Sequence, residues 1–206
     1  MGNIDRKAFF DGIRHTPFPG KLTAGNVKGI TAILDEWERR QLDDPRWLAY
    51  MLATTKWETD HTMQPIQEAG GKAYLTRMYD PTGARPALAK RNGNRTKGDG
   101  ILYSGKGFVQ LTWKNNYAAM TTRLQAAGFD VDLVKNPDLA MRLDIASFIL
   151  FDGMIHGVFT GKKLADYFSA TKNDPVNARR IINGTDRAAE IAAIHKQFYA
   201  DIIAAT

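Results

Sequence analysis

The stretch DPRWLAYMLATTKWE, residues 44–58, decides the fold. Asp44 before Pro45 is a helix start: a side chain that accepts from free N–H groups, then a proline whose fixed φ suits the first turn. Trp47, Leu48, Met51, Leu52 and Thr55 follow at helical spacing, which predicts a helix from Pro45. Glu58 lies eleven residues beyond Trp47, and at about 100° per residue this is about 20° past three full turns. Glu58 therefore shares the apolar stripe of Trp47, Met51 and Thr54–Thr55, directly after Trp57. A carboxylate in such a place loses solvation and gains the raised proton affinity that a general acid needs near neutral pH. Two other readings stay open: a glutamate that escapes to solvent past a frayed helix end, and a structural ion pair with Arg or Lys.

Working outward, the pattern stays helical. Residues 4–14 place Ile4, Phe9, Phe10 and Ile13 near one face, with Asn3 as the expected cap. A Pro/Gly-rich link, Thr16 to Gly20, precedes a helix capped by Thr23 or Asn26 and running to about Gln41, with Val27, Ile30, Ile33, Leu34 and Trp37 inward. Helical character returns after Thr112, and Asp144 is the expected cap of an apolar segment, Ile145 to Ile155, that Gly157 ends. A last helix is expected from about Asp186 to Ile203. Residues 70–107 are rich in glycine, with Tyr74, Leu75, Tyr79, Ile101, Leu102 and Tyr103 spaced through them. That composition suits either a disordered linker or a loop-rich surface lobe with a short hairpin, and the spaced apolar residues favour the lobe. The expected fold is mainly α: one domain over residues 1–206 with a small extended lobe at about 70–107.

The 206 residues are enough for a real core, and 44% apolar with 24% charged residues is ordinary for a globular chain. Cysteine is absent, which excludes disulfides and thiolate metal sites. No stretch approaches the ~18 apolar residues of a membrane span, so no stable membrane insertion is expected. Residues 1–18 lack a signal-peptide pattern, so synthesis in the cytoplasm is expected. The net charge of +6 favours polyanionic partners in general. The basic residues are scattered, densest in RNGNRTKGDGILYSGKG, residues 91–107, and match no nucleic-acid motif. Nucleic acid is therefore not the expected partner.

Glu68 follows Glu58 by ten residues, beyond Pro65. A proline break can turn the chain back, and inverting glycosidases need two carboxyl groups ~6.5–9.5 Å apart with a water between. Asp60 and Asp80 are other candidates in the region. The segment SGKGFVQLTWKNNY, residues 104–117, offers neutral donors and acceptors at Gln110, Thr112, Asn115 and Asn116. Tyr103, Phe108, Trp113 and Tyr117 offer flat apolar faces beside them. Amides and hydroxyls among aromatics suit a sugar. The P-loop pattern is absent, but an ordinary strand–turn–helix joint reads equally well.

Three segments together resemble glycoside hydrolase family 19, the chitinase class with a lysozyme-like fold, and most closely its bacteriophage endolysin branch. AYMLATTKWETDHTMQPIQEAGG, residues 49–71, resembles the helix that ends in the family's general acid. GKGFVQLTWKNNY, residues 105–117, resembles its Gly-x-Gly-x-x-Gln-Leu-Ser/Thr signature. RRIINGTDRAAEI, residues 179–191, resembles its Ile-Asn-Gly segment, and NPDLAMRLDIASFILFDGM with FTGKKLADYF resembles the intervening helices. The resemblance implies Glu58 as general acid, Glu68 as base and Thr112 as the holder of the attacking water. It implies substrate binding by Gln110, Asn116 and Asn183, with Arg187 as a nearby basic residue. Tyr103 and Trp113 join the substrate-binding candidates as flat faces. Trp57 stands where the family usually has histidine, so any help that residue gives must come from elsewhere, with His61 as a candidate. The short interval from Glu58 to Glu68 favours peptidoglycan over chitin by analogy.

The expected function is an endolysin that hydrolyses β-1,4 bonds of peptidoglycan glycan strands by an inverting acid/base mechanism, with no cofactor and no metal. It would act as a monomer on the cell wall after release across the inner membrane. The alternatives are a chitinase acting on N-acetylglucosamine polymers and a non-catalytic basic wall-binding module.

Overall fold

A computed structural model describes residues 4–206. The chain is mainly helical with very little strand, as a mainly-α, lysozyme-like architecture requires. Its helices are α1 (Arg6–Ile13), α2 (Ala24–Arg39), α3 (Pro45–Glu58), α4 (Gly71–Tyr79), α5 (Pro86–Arg91), α6 (Asp99–Leu102), α7 (Lys114–Ala126), α8 (Leu143–His156) and α9 (Ala188–Ala204). Four two-residue strands form two antiparallel pairs: β1 (Ile66–Gln67) with β2 (Lys106–Gly107), and β3 (Phe168–Ser169) with β4 (Lys172–Asn173). Single 3-10 turns occur at Pro137–Met141, Leu164–Asp166 and Asn177–Ile181. Contacts group the chain into two compact units, one running up to Gln64 and resuming over Leu150–Thr206, the other Pro65–Ile149.

The first unit is built on α3, which packs against α9. Asp44 accepts from the Arg46 N–H at 3.0 Å and Pro45 opens the helix, as the dipeptide requires. Every residue from Leu48 to Lys56 is buried, so α3 is enclosed on all sides rather than along one stripe, and Trp47 is only half-buried. The start of α2 uses both residues expected there. Thr23 caps the helix and accepts from Asn26 N–H at 3.1 Å, while the Asn26 side chain returns the bond to Thr23 N–H at 2.9 Å. Asp5 caps α1, and Asn3, the expected cap, lies outside the described residues. The Asp5 N–H donates to Ala205 O at 2.8 Å, tying α1 to the end of α9. His195 of α9 is buried and stacks on Phe168 at 5.5 Å. Burial pushes its ring down to about 4, only partly offset by a bond to the Arg46 backbone.

The second unit replaces the expected lobe. Residues 70–107 hold three short helices, α4 to α6, and β1 pairs across them with β2 through Ile66↔Gly107 and Gln67↔Lys106. The glycines here are helix punctuation: Gly70 and Gly98 precede α4 and α6 at φ 118° and 100°, a left-handed conformation that glycine adopts at no steric cost. Asp80 organises the segment. Its buried carboxylate accepts from Thr82 Oγ1 at 2.6 Å and from the N–H groups of Thr82, Gly98 and Gly100 at 3.0, 2.7 and 3.2 Å. The core of this unit holds Phe108, Leu111, Tyr117, Met120, Leu124 and Leu133. Asp144 sits inside the first turn of α8, two residues after the cap position at Arg142, and Gly157 follows its end at φ 71°.

Candidate functional site

Glu58 is the last residue of α3, and its side chain is 17% exposed. Its carboxylate accepts from Arg179 Nη1. Arg179, in the 3-10 turn Asn177–Ile181, is 5% exposed at its side chain and donates from Nε to Asp186 O at 3.1 Å. Of the three readings open from sequence, the geometry realises the ion pair, in a partly buried setting. Arg179 is a functional candidate that the sequence reading passed over. The signal was a semi-buried acid, which calls for a cation, together with the Arg179-Arg180 pair before Ile-Ile-Asn-Gly.

The turn after Glu58 is unusual. Asp60, His61 and Met63 all have positive φ (49°, 65° and 55°), and non-glycine residues in this region cost of order 1 kcal/mol each or more. The surroundings over-determine it. Thr59 Oγ1 donates to Thr55 O at 2.7 Å and accepts from Met63 N–H at 3.0 Å, while Asn26 Nδ2 donates to His61 O and Thr62 O at 2.8 and 2.9 Å. Met63 O lies against α2 where Gly29 leaves room: a Cβ on Gly29 would stand 1.6 Å from that oxygen. His61 Nδ1 is hydrogen-bonded to Lys56 Nζ, so that nitrogen is committed. Burial lowers the affinity of both side chains for protons, and for His61 the neighbouring Lys56 adds to the effect.

Asn183 and Arg187 stand on the surface of the same unit. Asn183 N–H donates to Arg179 O at 3.0 Å, and its side chain accepts from Gly184 N–H at 2.8 Å. Arg187 precedes α9 at φ 57° and donates from Nη1 to Glu190 at 3.1 Å. Arg187 is thus held by its own helix, whereas Asn183 belongs to the segment that carries Arg179.

In the second unit, Glu68 bonds to Tyr79 and Gly105, while Gln110, Thr112 and Asn116 form a separate chain of bonds that begins at Ile66 O beside β1. Glu68 N–H donates to Gly105 O at 2.8 Å, continuing the β1–β2 ladder. Its carboxylate accepts from Tyr79 Oη at 2.7 Å and from Gly105 N–H at 3.3 Å. Gly105 is there for space, since a Cβ would stand 2.6 Å from Gln110 Oε1 and 3.1 Å from Glu68 Oε2. Gln110, at φ 55°, donates from Nε2 to Ile66 O at 3.0 Å. Thr112 Oγ1 donates to Gln110 O at 2.8 Å, which leaves the hydroxyl's lone pairs open, and Asn116 Nδ2 donates to Thr112 O at 2.8 Å. Trp113 is half-buried and packs edge-on to Tyr79 at 5.1 Å. Tyr79 is the second residue missed as a site member. Its hydroxyl is pushed above its usual range, first by burial and then by the bond it donates to Glu68.

Two expectations about this unit need correction. Tyr103, read as a flat face for a sugar, is 4% exposed, donates its hydroxyl to Val134 O at 3.0 Å and packs on Tyr117, so it is a core residue. Lys106, counted with the basic stretch, is buried and donates to Leu102 O at 2.7 Å, so the exposed charge there is Lys90, Arg91, Arg95 and Lys97. Among the described residues, no cluster of three or more His, Asp or Glu side chains could hold a metal ion, and no helix is long and apolar enough to cross a membrane. Neither a scan against protein-family models nor a search of curated proteins returns a match, so a functional reading rests on these residues themselves.

Proposed function

We propose that the chain is a glycosidase of the family 19 endolysin type that hydrolyses β-1,4 bonds in the glycan strands of bacterial peptidoglycan. The observation that carries this reading is the seat of Glu68. Two donors, Tyr79 Oη and Gly105 N–H, fix the carboxylate, and each of its oxygens keeps a lone pair for a further proton. Gln110 Oε1 and Glu68 Oε2 face the same glycine, Gly105, and Thr112 and Asn116 follow Gln110 in a chain of hydrogen bonds.

The roles follow from hydrolysis with inversion. Glu58, in its protonated form, gives its proton to the glycosidic oxygen as the bond from the anomeric carbon breaks, which leaves the carboxylate that pairs with Arg179; proton exchange with solvent resets both acids. A water attacks that carbon from the opposite face of the ring, and Glu68 takes the water's proton. Thr112 contributes an acceptor for that water, and Gln110 and Asn116 contribute amides to the sugar. Arg179 holds the Glu58 carboxylate in one orientation between turnovers. No cofactor enters the chemistry. The net charge of +6 adds a long-range attraction to the anionic wall.

Proton NMR of the first-formed product, with mass spectrometry of fragments from purified peptidoglycan, tests the proposal. A β-linked strand cut with inversion yields the α-anomer first, at an unmodified reducing end. A product of retained configuration, or one ending in an anhydro ring, would remove Glu68 from the role of base. Absence of any cleavage of wall or chitin by folded protein would refute the enzymatic reading.

A further inference from the structure

The link between α1 and α2 lines an open, basic concavity of about 380 Å³, formed by Arg14, His15, Pro19, Gly20, Lys21 and Leu22. The loop that shapes it is pinned. Phe18 is buried, packs edge-on to Phe198 at 6.1 Å and donates its N–H to Ile13 O at 3.0 Å. Gly20 N–H donates to Arg14 O at 3.2 Å and Lys21 N–H to Phe18 O at 3.3 Å. Pro17 and Pro19 stiffen the same turn. The cations therefore stand on a preorganised frame, which lowers the entropic cost of binding.

Their charge is poorly matched by nearby acids. Lys21 and His15 form no ion pair among the described residues. Arg14 has one carboxylate near it, Asp11, with Nε 3.9 Å away, and Asp11 is held more closely by Lys7 Nζ at 2.8 Å. His15 feels two carboxylates, Asp11 and Asp201 of α9, so the imbalance of charge rests on Arg14 and Lys21. Two permanent cations, Arg14 and Lys21, thus line the concavity beside an imidazole that can donate a further hydrogen bond. A guanidinium offers a planar fork of donors that matches phosphate oxygens, and an ammonium adds a point charge. The volume exceeds what one small ion fills and leaves room for the group that carries it.

We propose that this concavity is a binding site for a phosphate group carried on a sugar or polyol, separate from the residues assigned to hydrolysis. The glycosidase reading enters only in naming the source, the phosphodiester polymers attached to the wall. The site would hold the protein on its substrate while the glycan is cut.

Amide and imidazole NMR during titration with inorganic phosphate and with glycerol phosphate, against chloride at matched ionic strength, tests the site. Saturable shifts centred on Arg14, His15 and Lys21 are expected. The double variant Arg14→Ala/Lys21→Ala, checked for an unchanged Tm, should weaken both ligands by roughly tenfold or more, as loss of charge-assisted contacts does. His15→Gln gives a second, milder reading in the same direction. Shifts that match chloride, or an affinity unchanged in the double variant, would overturn the site. Sedimentation with purified walls, before and after hydrofluoric acid strips their phosphodiester polymers, tests the source. Binding should fall on stripped walls and in the double variant, while cleavage of short soluble glycan fragments stays unchanged. Equal binding to stripped walls, or a preference for duplex DNA that the double variant abolishes, would overturn the wall assignment. The phosphate titration reads the same whether or not the chain cuts glycan, so failure of the hydrolytic reading is distinguishable.

Discussion

Replacing Glu58 by glutamine should cost both activity and stability, and the two losses can be separated. The pair it forms with Arg179 is 17% and 5% exposed at the two side chains. Unit charges at hydrogen-bond separation, ~3 Å, in an effective dielectric of ~20 attract by roughly 5 kcal/mol gross. Desolvating both groups returns a large part of that, which leaves a net coupling of about 2–3 kcal/mol. Glu58→Gln keeps an acceptor for Arg179 but removes the charge, so a loss of about 2 kcal/mol is expected, or a fall in Tm of ~4–8 °C for a chain of this size. Arg179→Met should cost more, about 3–5 kcal/mol, because it strands the carboxylate. Urea denaturation of the single and double variants gives the coupling directly. Wall lysis is then measured well below the lowered Tm, where Glu58→Gln should be at least about 100-fold slower, the usual scale of lost general acid catalysis. A coupling under ~0.5 kcal/mol would place the pair with ordinary surface pairs. Near-normal lysis by folded Glu58→Gln would leave the carboxylate a purely structural role.

Three further outcomes follow from the packing. Asp80→Ala removes the acceptor of two backbone N–H groups near Gly98 and both donors of Thr82; a loss of about 3 kcal/mol is expected by denaturation, and a loss under ~0.5 kcal/mol would refute its organising role. Gly29→Ala forces a methyl onto Met63 O, so destabilisation of about 3 kcal/mol is expected; a neutral result would mean the turn after Glu58 moves freely. His195, held near 4 against an ordinary 6.5, binds fewer protons folded than unfolded between those values. Stability should therefore be full above pH 6.5 and fall by about 3 kcal/mol as the pH drops to 4, at 1.36 kcal/mol per unit. His195→Phe should flatten that part of the pH–stability curve, and an unchanged slope would assign it to other groups.

The parts of the fold that sequence made legible are those with short-range chemical causes. Asp44-Pro45 and Thr23 with Asn26 announce helix starts because the capping partners lie within three residues. Residues 70–107 read from sequence as a loop-rich lobe with a short hairpin, because helices of nine, six and four residues show too few turns for periodicity. They are held by a non-local device, the reach of Asp80 to Gly98 and Gly100. The stripe drawn through Glu58 fails for a related reason: α3 is enclosed on all sides, so its burial is not written as one-sided periodicity. In the candidate site, Gln110, Thr112 and Asn116 were legible because one local motif holds them. Arg179 was not, since the Arg179-Arg180 pair marks a cation without saying which carboxylate, 121 residues away, it meets. Tyr103 looked like a sugar platform because composition does not tell a buried aromatic ring from an exposed one.

That 121-residue interval has a consequence for the order in which the protein becomes itself. A ribosome adding ~5–20 residues per second needs roughly 6–24 s to travel from Glu58 to Arg179. Throughout that time α3 has been made and α9, the helix that packs against it, has not. The nascent chain must carry an apolar helix without α9, and its terminal carboxylate without Arg179, until those segments are made. Contacts between such distant segments also close slowly on thermodynamic grounds, because the long loop must be ordered first. Assembly of the first unit therefore waits for α9, and a chain cut short before α9 would leave α3 open to chaperones and proteases.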